Sequence, residues 1–144
     1  MPQLGYKFLP HTTDAYIESV GATFEEALEN AALALFDTMC DLNSISPKLH
    51  DDITVEGHDS LELLYNWLET LLLKFELERK VYNSFHVSLT RKPKGGLKVR
   101  ATANGDFFER QTHHAKVEVK AVTYHRMQVV QEAELTIVRF ILDL

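Results

Sequence analysis

Hydrophobic residues in the first half of the chain recur at the spacing of a helix. Thr23 and Glu26 form a capping box, and the residues that follow place an apolar stripe on one face. Asp59 and Glu62 offer an acidic cap before a second stripe. The first stripe comprises Phe24, Ala27, Leu28, Ala31, Leu35, Phe36 and Met39, and the second comprises Leu61, Leu64, Tyr65, Leu68, Leu72 and Phe75. The pattern therefore predicts two amphipathic helices.

The second helix also carries apolar residues outside its main stripe. Leu63, Trp67, Leu71 and Leu73 lie on its other faces. A helix that is apolar on several faces either lies at the centre of the core or exposes apolar surface to a partner. The core position is favoured, and the exposed position stays open as the alternative.

Short segments with a strand period fill the rest of the chain. Residues 6–9 and 15–20 flank the motif HTTD, and a strand at 52–57 follows a loop at 43–52. Further strands are predicted at 81–91, 97–103, 116–130 and 136–144, with a hairpin turn through KPKGG and a loop at 104–114. These elements predict an α+β fold: a single domain over residues 1–144, in which two amphipathic helices pack on a largely antiparallel (mixed) β-sheet and the C-terminal half is rich in strands.

The segment 116–125 alternates in the manner of a half-buried strand. One predicted face carries Val117, Val119, Ala121, Thr123 and His125, and the other carries Glu118, Lys120, Val122 and Tyr124. Glu118 and Lys120 would then be neighbours, forming either a surface ion pair or part of a contact site for an anionic partner. The ion pair is the favoured interpretation from periodicity alone.

Composition narrows the function classes. The 144 residues, 45% hydrophobic and 25% charged, are typical of one ordinary globular domain. A net charge of -6 repels polyphosphate, so tight unassisted binding to nucleic acid is disfavoured. Cys40 is the only cysteine, which excludes an internal disulfide, favours a packed thiol and fits a reducing, cytoplasmic setting. Neither a signal peptide nor a membrane-spanning segment is expected.

Carboxylates at the two ends of the chain are the candidate chemistry. Asp14 lies three residues after His11 at the entry of a strand, where it either binds a hard cation or caps a turn. Asp143 stands beside the terminal carboxylate of Leu144, which is either frayed in solvent or anchored by the apolar residues before it. If the two ends converge, carboxylates about 4 Å apart repel by about 4 kcal/mol, and a bound cation removes that cost. Oxygen ligands favour Ca²⁺, Mg²⁺ or Mn²⁺ over Zn²⁺.

Other polar groups support specific chemistry less well. A zinc site at His113, His114 and His125 is disfavoured, because adjacent histidines point to opposite faces of a strand and no second cysteine completes the set. The basic hairpin is better explained as solvated than as a nucleic-acid or partner surface; its cations are Arg91, Lys92, Lys94, Lys98 and Arg100. Hydrolase, kinase and phosphate-loop motifs are absent from the sequence.

Four segments resemble a known family, archease. HTTD at 11–14 is similar to its HTAD element, and EVKAVTYH at 118–125 is similar to its KAVTYH signature. LLYNWLETLLLKF at 63–75 resembles the family's WLxELLxLF helix, and the ending Leu142-Asp143-Leu144 resembles its short acidic C-terminus. The resemblance extends over nearly the whole chain, and KAVTYH is its most specific part.

The resemblance implies a non-catalytic accessory protein of an RtcB-type RNA ligase, the enzyme that joins tRNA halves in splicing. Such a protein promotes guanylylation of the ligase by GTP and its repeated turnover, and it meets RNA only through the ligase. Carried over by residue, the family's metal site falls on Asp14, Asp143 and Leu144. The expected cofactor is a divalent cation, Ca²⁺ first and Mg²⁺ or Mn²⁺ as alternatives. His11, Glu118, Lys120 and His125 are assigned to partner contact or support of the site.

Two other function classes stay open. A small metal-dependent phosphohydrolase or nuclease would use the same carboxylates together with an open coordination position and a positioned water. A generic chaperone-like module would instead bind proteins through the apolar second helix. Activity on RNA without the ligase would indicate the phosphohydrolase or nuclease. Partner activation that survives the loss of Asp14 and Asp143 would indicate the chaperone-like module.

Overall fold

The secondary structure is that of an α+β protein, as predicted. A computed structural model describes residues 3–11 and 13–144. Its two helices are α1 (Phe24–Met39) and α2 (Ser60–Glu78), and a short 3₁₀ helix spans Leu42–Ser44. Its strands are β1 (Gly5–Leu9), β2 (Ala15–Gly21), β3 (Leu49–Gly57), β4 (Lys80–Arg91), β5 (Leu97–Phe107), β6 (Ala121–Gln131) and β7 (Thr136–Asp143).

Both helices begin at the residues that the capping patterns predict. The Thr23 hydroxyl accepts a hydrogen bond from the backbone N–H of Glu26 at 3.1 Å, and the Asp59 carboxylate accepts one from Glu62 at 2.9 Å. Glu62 in turn accepts from the N–H of His58 at 2.9 Å, which satisfies another free donor before α2. Side-chain capping therefore fixes where each helix starts.

The strands form two antiparallel sheets, whereas one sheet was predicted. The first sheet has the order β1-β2-β7-β6, and the second has the order β3-β5-β4. Each helix contacts strands of both sheets, α1 through β2, β7 and β4 and α2 through β6 and β3. Because the helices cover apolar faces of both sheets, one hydrophobic cluster joins all the layers.

The off-stripe residues of α2 largely confirm its position in the core. Leu63, Trp67 and Leu71 are fully buried, which fits a helix packed on two sides. Leu73 departs from that interpretation and is 42% exposed, because it lies on the face of α2 that neither sheet covers. No helix within the described ranges is long and apolar enough to cross a membrane.

Two strands extend into segments that were predicted as loops. β3 already begins at Leu49, inside the predicted loop, since residues 49–52 pair with β5 up to Gly105. β5 in turn continues to Phe107, inside the second predicted loop, because its last residues pair with the start of β4. These polar residues are strand residues because partner strands satisfy their backbone groups, a constraint that local composition does not reveal.

The predicted strand at 116–130 begins only at Ala121. The N–H groups of Lys116 and Val117 donate to Met39 and Thr38 at the end of α1, at 2.8 and 3.4 Å, instead of to a strand. The predicted alternation is therefore wrong: Val117 is exposed, whereas Val119 and Val122 are both buried. The β6–β7 register also shifts between Thr123 and Gln128, where Arg126 has a φ of 57°.

Substitution of Trp67 by Phe should test how strongly α2 is anchored in the core. The buried Trp67 indole donates to the Leu28 carbonyl at 2.9 Å, and Phe loses this bond together with part of the ring volume. We expect Trp67→Phe to lower the free energy of unfolding by about 1–3 kcal/mol. Urea denaturation followed by circular dichroism measures the loss. Tryptophan fluorescence cannot be used, because Trp67 is the only tryptophan and the variant lacks it.

Leu77→Ala is the matched control on the same helix. Leu77 is 77% exposed, so its truncation should change the unfolding free energy by no more than about 0.5 kcal/mol. Equal losses in the two variants would contradict the buried position of Trp67.

Asp51 on β3 contacts two polar side chains at the start of β4. Its carboxylate accepts a hydrogen bond from the Tyr82 hydroxyl at 2.6 Å and lies 3.2 Å from the Lys80 ammonium. Partial burial acts to raise the pKa of Asp51, but the hydrogen bonds from Tyr82 and Lys80 outweigh it, so the pKa lies below its usual value. The ionised carboxylate therefore stabilises the folded state.

Acid should remove the stability that Asp51 provides. A carboxyl group whose pKa is lower in the folded state stabilises the protein above its unfolded pKa, and the effect disappears as the pH falls through the folded pKa. At pH 7, Asp51→Asn should therefore cost about 1 kcal/mol, and the difference from the parent protein should shrink below about pH 4. Asp52→Asn, on the exposed face of the same strand, should change little at either pH. A pH-independent cost for Asp51→Asn would contradict the prediction.

Candidate functional site

The two ends of the chain meet through the pairing of β2 with β7. Their antiparallel register places Ala15 opposite Leu142, at the first residue of one strand and close to the last residue of the other. Asp14 and Asp143 each lie one residue beyond this pair. Sheet topology therefore places both residues at the same end of the two central strands.

An open cleft of about 430 Å³ lies beside this meeting point. Strand β1, the start of β2, the end of α1, the segment at 116–117 and the last residue of the chain form its walls. Its lining residues are Phe8, Leu9, His11, Asp14, Ala15, Tyr16, Asp37, Thr38, Lys116, Val117 and Leu144. The cleft thus combines carboxylates with the exposed apolar side chains of Phe8 and Val117.

Asp37 is an acidic residue of the cleft that the sequence did not single out. Its two carboxylate oxygens accept hydrogen bonds from the Tyr6 hydroxyl at 3.0 Å and from the Lys116 ammonium at 2.9 Å. Burial and the negative charge of Asp37 raise the pKa of Tyr6 to about 12, so the phenol stays a donor. No motif marks Asp37, because its partners lie 31 and 79 residues away in the chain.

The remaining carboxylates of this region lack such neutralisation. We call Asp14, Asp143 and the terminal carboxylate of Leu144 the carboxylate corner. Within residues 3–11 and 13–144, no Lys or Arg side chain lies within 4.0 Å of any of the three, and the only imidazole at that distance is the His11 ring, whose Nδ1 lies 4.0 Å from Asp14. The corner therefore concentrates negative charge that the described residues leave largely uncompensated.

His11 is held above the corner by the start of β2. Its ring packs edge-on against Tyr16 with centroids 6.0 Å apart, and the Arg126 guanidinium lies 5.9 Å from the Tyr16 ring. The next residue of the HTTD motif, Thr12, lies outside the described residues. His11 can therefore orient Asp14 or accept a proton beside it.

The signature strand contributes less to the corner than the resemblance implies. Lys120 reaches it through the backbone, where its N–H donates to the Asp143 carbonyl at 2.7 Å. The Glu118 side chain lines a different recess, and His125 lies exposed in the irregular part of β6. In the part of the chain that the structure describes, Glu118 and Lys120 form no ion pair within 4.0 Å.

The other candidates lie away from the corner. His113 is buried, where its Nδ1 accepts from the Glu109 N–H at 3.0 Å, while His114 is exposed. In the basic hairpin, Lys92 pairs with Glu56 at 3.0 Å. Cys40 is fully buried, and burial raises its thiol pKa to about 11, which agrees with a packed thiol.

The donor set of the corner fits a hard cation through charge and atom type. Asp14, Asp143 and the Leu144 carboxylate offer only oxygen atoms, which suit Ca²⁺, Mg²⁺ or Mn²⁺. Among the described residues, no three side chains of His, Cys, Asp or Glu are grouped closely enough to form a metal cluster on their own. A cation there would therefore depend on the terminal carboxylate as its third protein ligand.

Relatives match this chain over most of its length. The model of the Archease protein family (MTH1598/TM1083) matches residues 6–144. The protein archease of Sulfurisphaera tokodaii is 33% identical over 139 residues, covering 96% of this chain and 98% of the relative. That of Pyrococcus furiosus is 43% identical over 119 residues, covering 83% of each chain.

Two solved structures share the fold. The solution structure of Methanobacterium thermoautotrophicum protein 1598 superimposes with a TM-score of 0.84 at 34% identity, covering 97% of this chain and 99% of the other. The crystal structure of an archease from Thermotoga maritima, described as a possible chaperone, has a TM-score of 0.62 at 19% identity and covers 96% of each chain. The second likeness concerns the fold alone. With the family model, the curated relatives and the KAVTYH signature in agreement, the chain belongs to the archease family.

Proposed function

We propose that this protein is a non-catalytic activator of an RtcB-type RNA ligase and that the carboxylate corner is its working site. In this role it promotes guanylylation of the ligase by GTP and supports repeated turnover in tRNA splicing. The observation that supports the proposal is the pairing of β2 with β7, the two central strands, because Asp14 and Asp143 each lie one residue beyond its last pair, close in sequence to the chain terminus.

The charge distribution supports a protein partner over direct binding to RNA. The whole chain carries a net charge of -6, and the corner adds local negative charge. A phosphate backbone would be repelled by this surface, whereas a basic or metal-rich region of a ligase would be attracted. The protein therefore acts on the ligase and meets RNA through it.

Three groups would hold the cation, and two others would position them. Asp14, Asp143 and the Leu144 carboxylate would supply oxygen ligands, with Ca²⁺ the preferred ion. The Lys120 N–H, bonded to the Asp143 carbonyl at 2.7 Å, fixes the backbone of that ligand, and His11 restrains Asp14 from 4.0 Å. When bound, a divalent cation would neutralise the corner and present a Lewis acid to the partner.

The same geometry supports a non-catalytic role. The corner lies at the open end of a sheet in a wide cleft, and the exposed Phe8 and Val117 form part of its wall. Hydrolytic metal centres place the ion in a dry, shaped cavity. An open acidic cleft with apolar walls is better suited to dock against another protein.

Calcium binding should depend on each component of the corner. Asp14→Asn and Asp143→Asn should each weaken Ca²⁺ binding by about tenfold or more, equivalent to about 1.4 kcal/mol, because each removes one ligand charge. Extension of the chain by one glycine after Leu144 should have a similar effect, since it moves the terminal carboxylate. Isothermal titration calorimetry with Ca²⁺, Mg²⁺ and Mn²⁺ measures all three variants. Asp52→Asn, an exposed carboxylate on the other sheet, is the control.

Activation of the ligase should follow the same residues. With purified ligase and labelled GTP, the parent protein should accelerate transfer of GMP to the ligase, whereas Asp14→Asn and Asp143→Asn should lose most of that acceleration. Asp52→Asn should remain fully active. The isolated protein should neither cleave RNA nor release phosphate.

Two results would replace this proposal with one of its alternatives. Metal-dependent turnover of RNA or phosphoesters without ligase would indicate a phosphohydrolase or nuclease. Full activation by both Asp variants would indicate a general chaperone-like binding surface, the role suggested in the description of the Thermotoga maritima relative.

A further inference from the structure

A second recess lies on the other side of the segment at 115–118. It has a volume of about 190 Å³ and is bounded by the end of α2, the turn after β5 and this segment. Lys116 and Val117 line both this recess and the cleft beside the carboxylate corner. The two sites are therefore separated by the width of one extended chain.

The charge of this recess is opposite to that of the corner. Three cations, Arg79, Arg110 and Lys116, line it together with one carboxylate, Glu118. Lys116 is paired with Asp37, but within the described residues neither arginine has a carboxylate within 4.0 Å. Two unpaired guanidinium groups therefore share one concave site in a protein of net charge -6.

Arg79 is held in place by aromatic and backbone contacts, not by an ion pair with a carboxylate. Its guanidinium carbon lies 4.5 Å from the centre of the Phe75 ring and 5.3 Å from that of Phe108. Its backbone is fixed as well, because its N–H donates to Phe75 at 3.0 Å and its carbonyl accepts from Phe108. Because the Arg79 side chain is already ordered, binding a ligand costs little further conformational entropy.

The backbone of Arg79 makes its identity informative. It ends α2 with a φ of 55°, the left-handed conformation in which glycine is the usual residue. Any side chain at this position is sterically disfavoured relative to glycine. The helix end therefore does not explain why this residue is an arginine. A need for a guanidinium group at the recess does explain it.

We propose that this recess binds the phosphate group of a small molecule, with Arg79 and Arg110 as its ligands. Guanidinium groups match the oxygens of phosphate through paired, charge-assisted hydrogen bonds. Phe75 and Phe108 line the recess as well and supply apolar surface beside the arginines, against which a flat ring attached to that phosphate can pack. A mononucleotide has both features.

Size and charge favour a small phosphate over a polynucleotide. The recess has a volume of about 190 Å³, which suits a small molecule better than a polynucleotide strand. The net charge of -6 on the whole chain disfavours a long polyphosphate, whereas a single phosphate needs only the local positive charge of the two arginines.

The test uses the full-length protein in EDTA, so that it is independent of any cation at the carboxylate corner. NMR titrations compare inorganic phosphate, a nucleoside 5′-monophosphate, the same nucleoside without phosphate, acetate and a short RNA. Arg79→Gly and Arg110→Gln remove one guanidinium each. Arg79→Gly places the preferred residue at the helix end, so its fold should persist, and circular dichroism checks this. Lys94→Ala, on the exposed hairpin, removes the same charge elsewhere.

The monophosphate should bind more tightly than inorganic phosphate, and both should bind more tightly than nucleoside or acetate. Each arginine variant should weaken phosphate binding by about tenfold or more, and Lys94→Ala should leave it unchanged. If Arg79→Gly fails to fold, Arg110→Gln decides, because Arg110 lies in an exposed turn. The proposal is overturned if phosphate does not bind, if nucleoside or acetate binds equally well, if RNA alone binds, or if Lys94→Ala has the same effect.

Discussion

The antiparallel pairing of β2 with β7 is the contact on which the candidate site depends. It joins residues 15–21 to residues 136–142, so almost the whole chain lies between the paired strands. Closing so long a loop costs conformational entropy, which burial of apolar side chains on both strands must offset. Ile17, Val138 and Phe140 are fully buried and supply that stabilisation. The apolar core therefore holds together the two central strands from which Asp14 and Asp143 extend.

The end of β7 separates core from site. Ile141 and Leu142 are both buried although they point to opposite faces, whereas Asp143, the last residue of the strand, is exposed. The Asp143 carbonyl is already bonded to the Lys120 N–H, which leaves its carboxylate as the group free to act. The strand thus stabilises the fold up to its last apolar residue and presents charge immediately after it.

How much of this could be predicted differs between elements. The helices were predictable because Thr23, Asp59 and the apolar stripes are local signals with a fixed period. The division into two sheets was not, because it depends on which distant strands pair, and residues 116–120 looked like a strand although α1 satisfies part of their backbone. Asp14 and Asp143 were chosen through the family resemblance, since their spacing alone also fitted a turn and a loose tail. Asp37 could not be predicted, because its role depends on hydrogen bonds from Tyr6 and Lys116, which are distant in the sequence.

The segment at 115–120 divides the charged groups of this surface into two classes. Lys116 and Tyr6 occupy both oxygens of Asp37, so this carboxylate stabilises the junction between α1 and the segment and is withdrawn from binding. The same contact neutralises Lys116 and leaves Arg79 and Arg110 as the unpaired cations of the recess. Pairing of Asp37 with Lys116 thereby keeps an acidic and a basic site apart across a single extended chain. Loss of this ion pair would leave Asp37 unneutralised in the acidic cleft and Lys116 unpaired beside both sites, so the charge of each site depends on the pair.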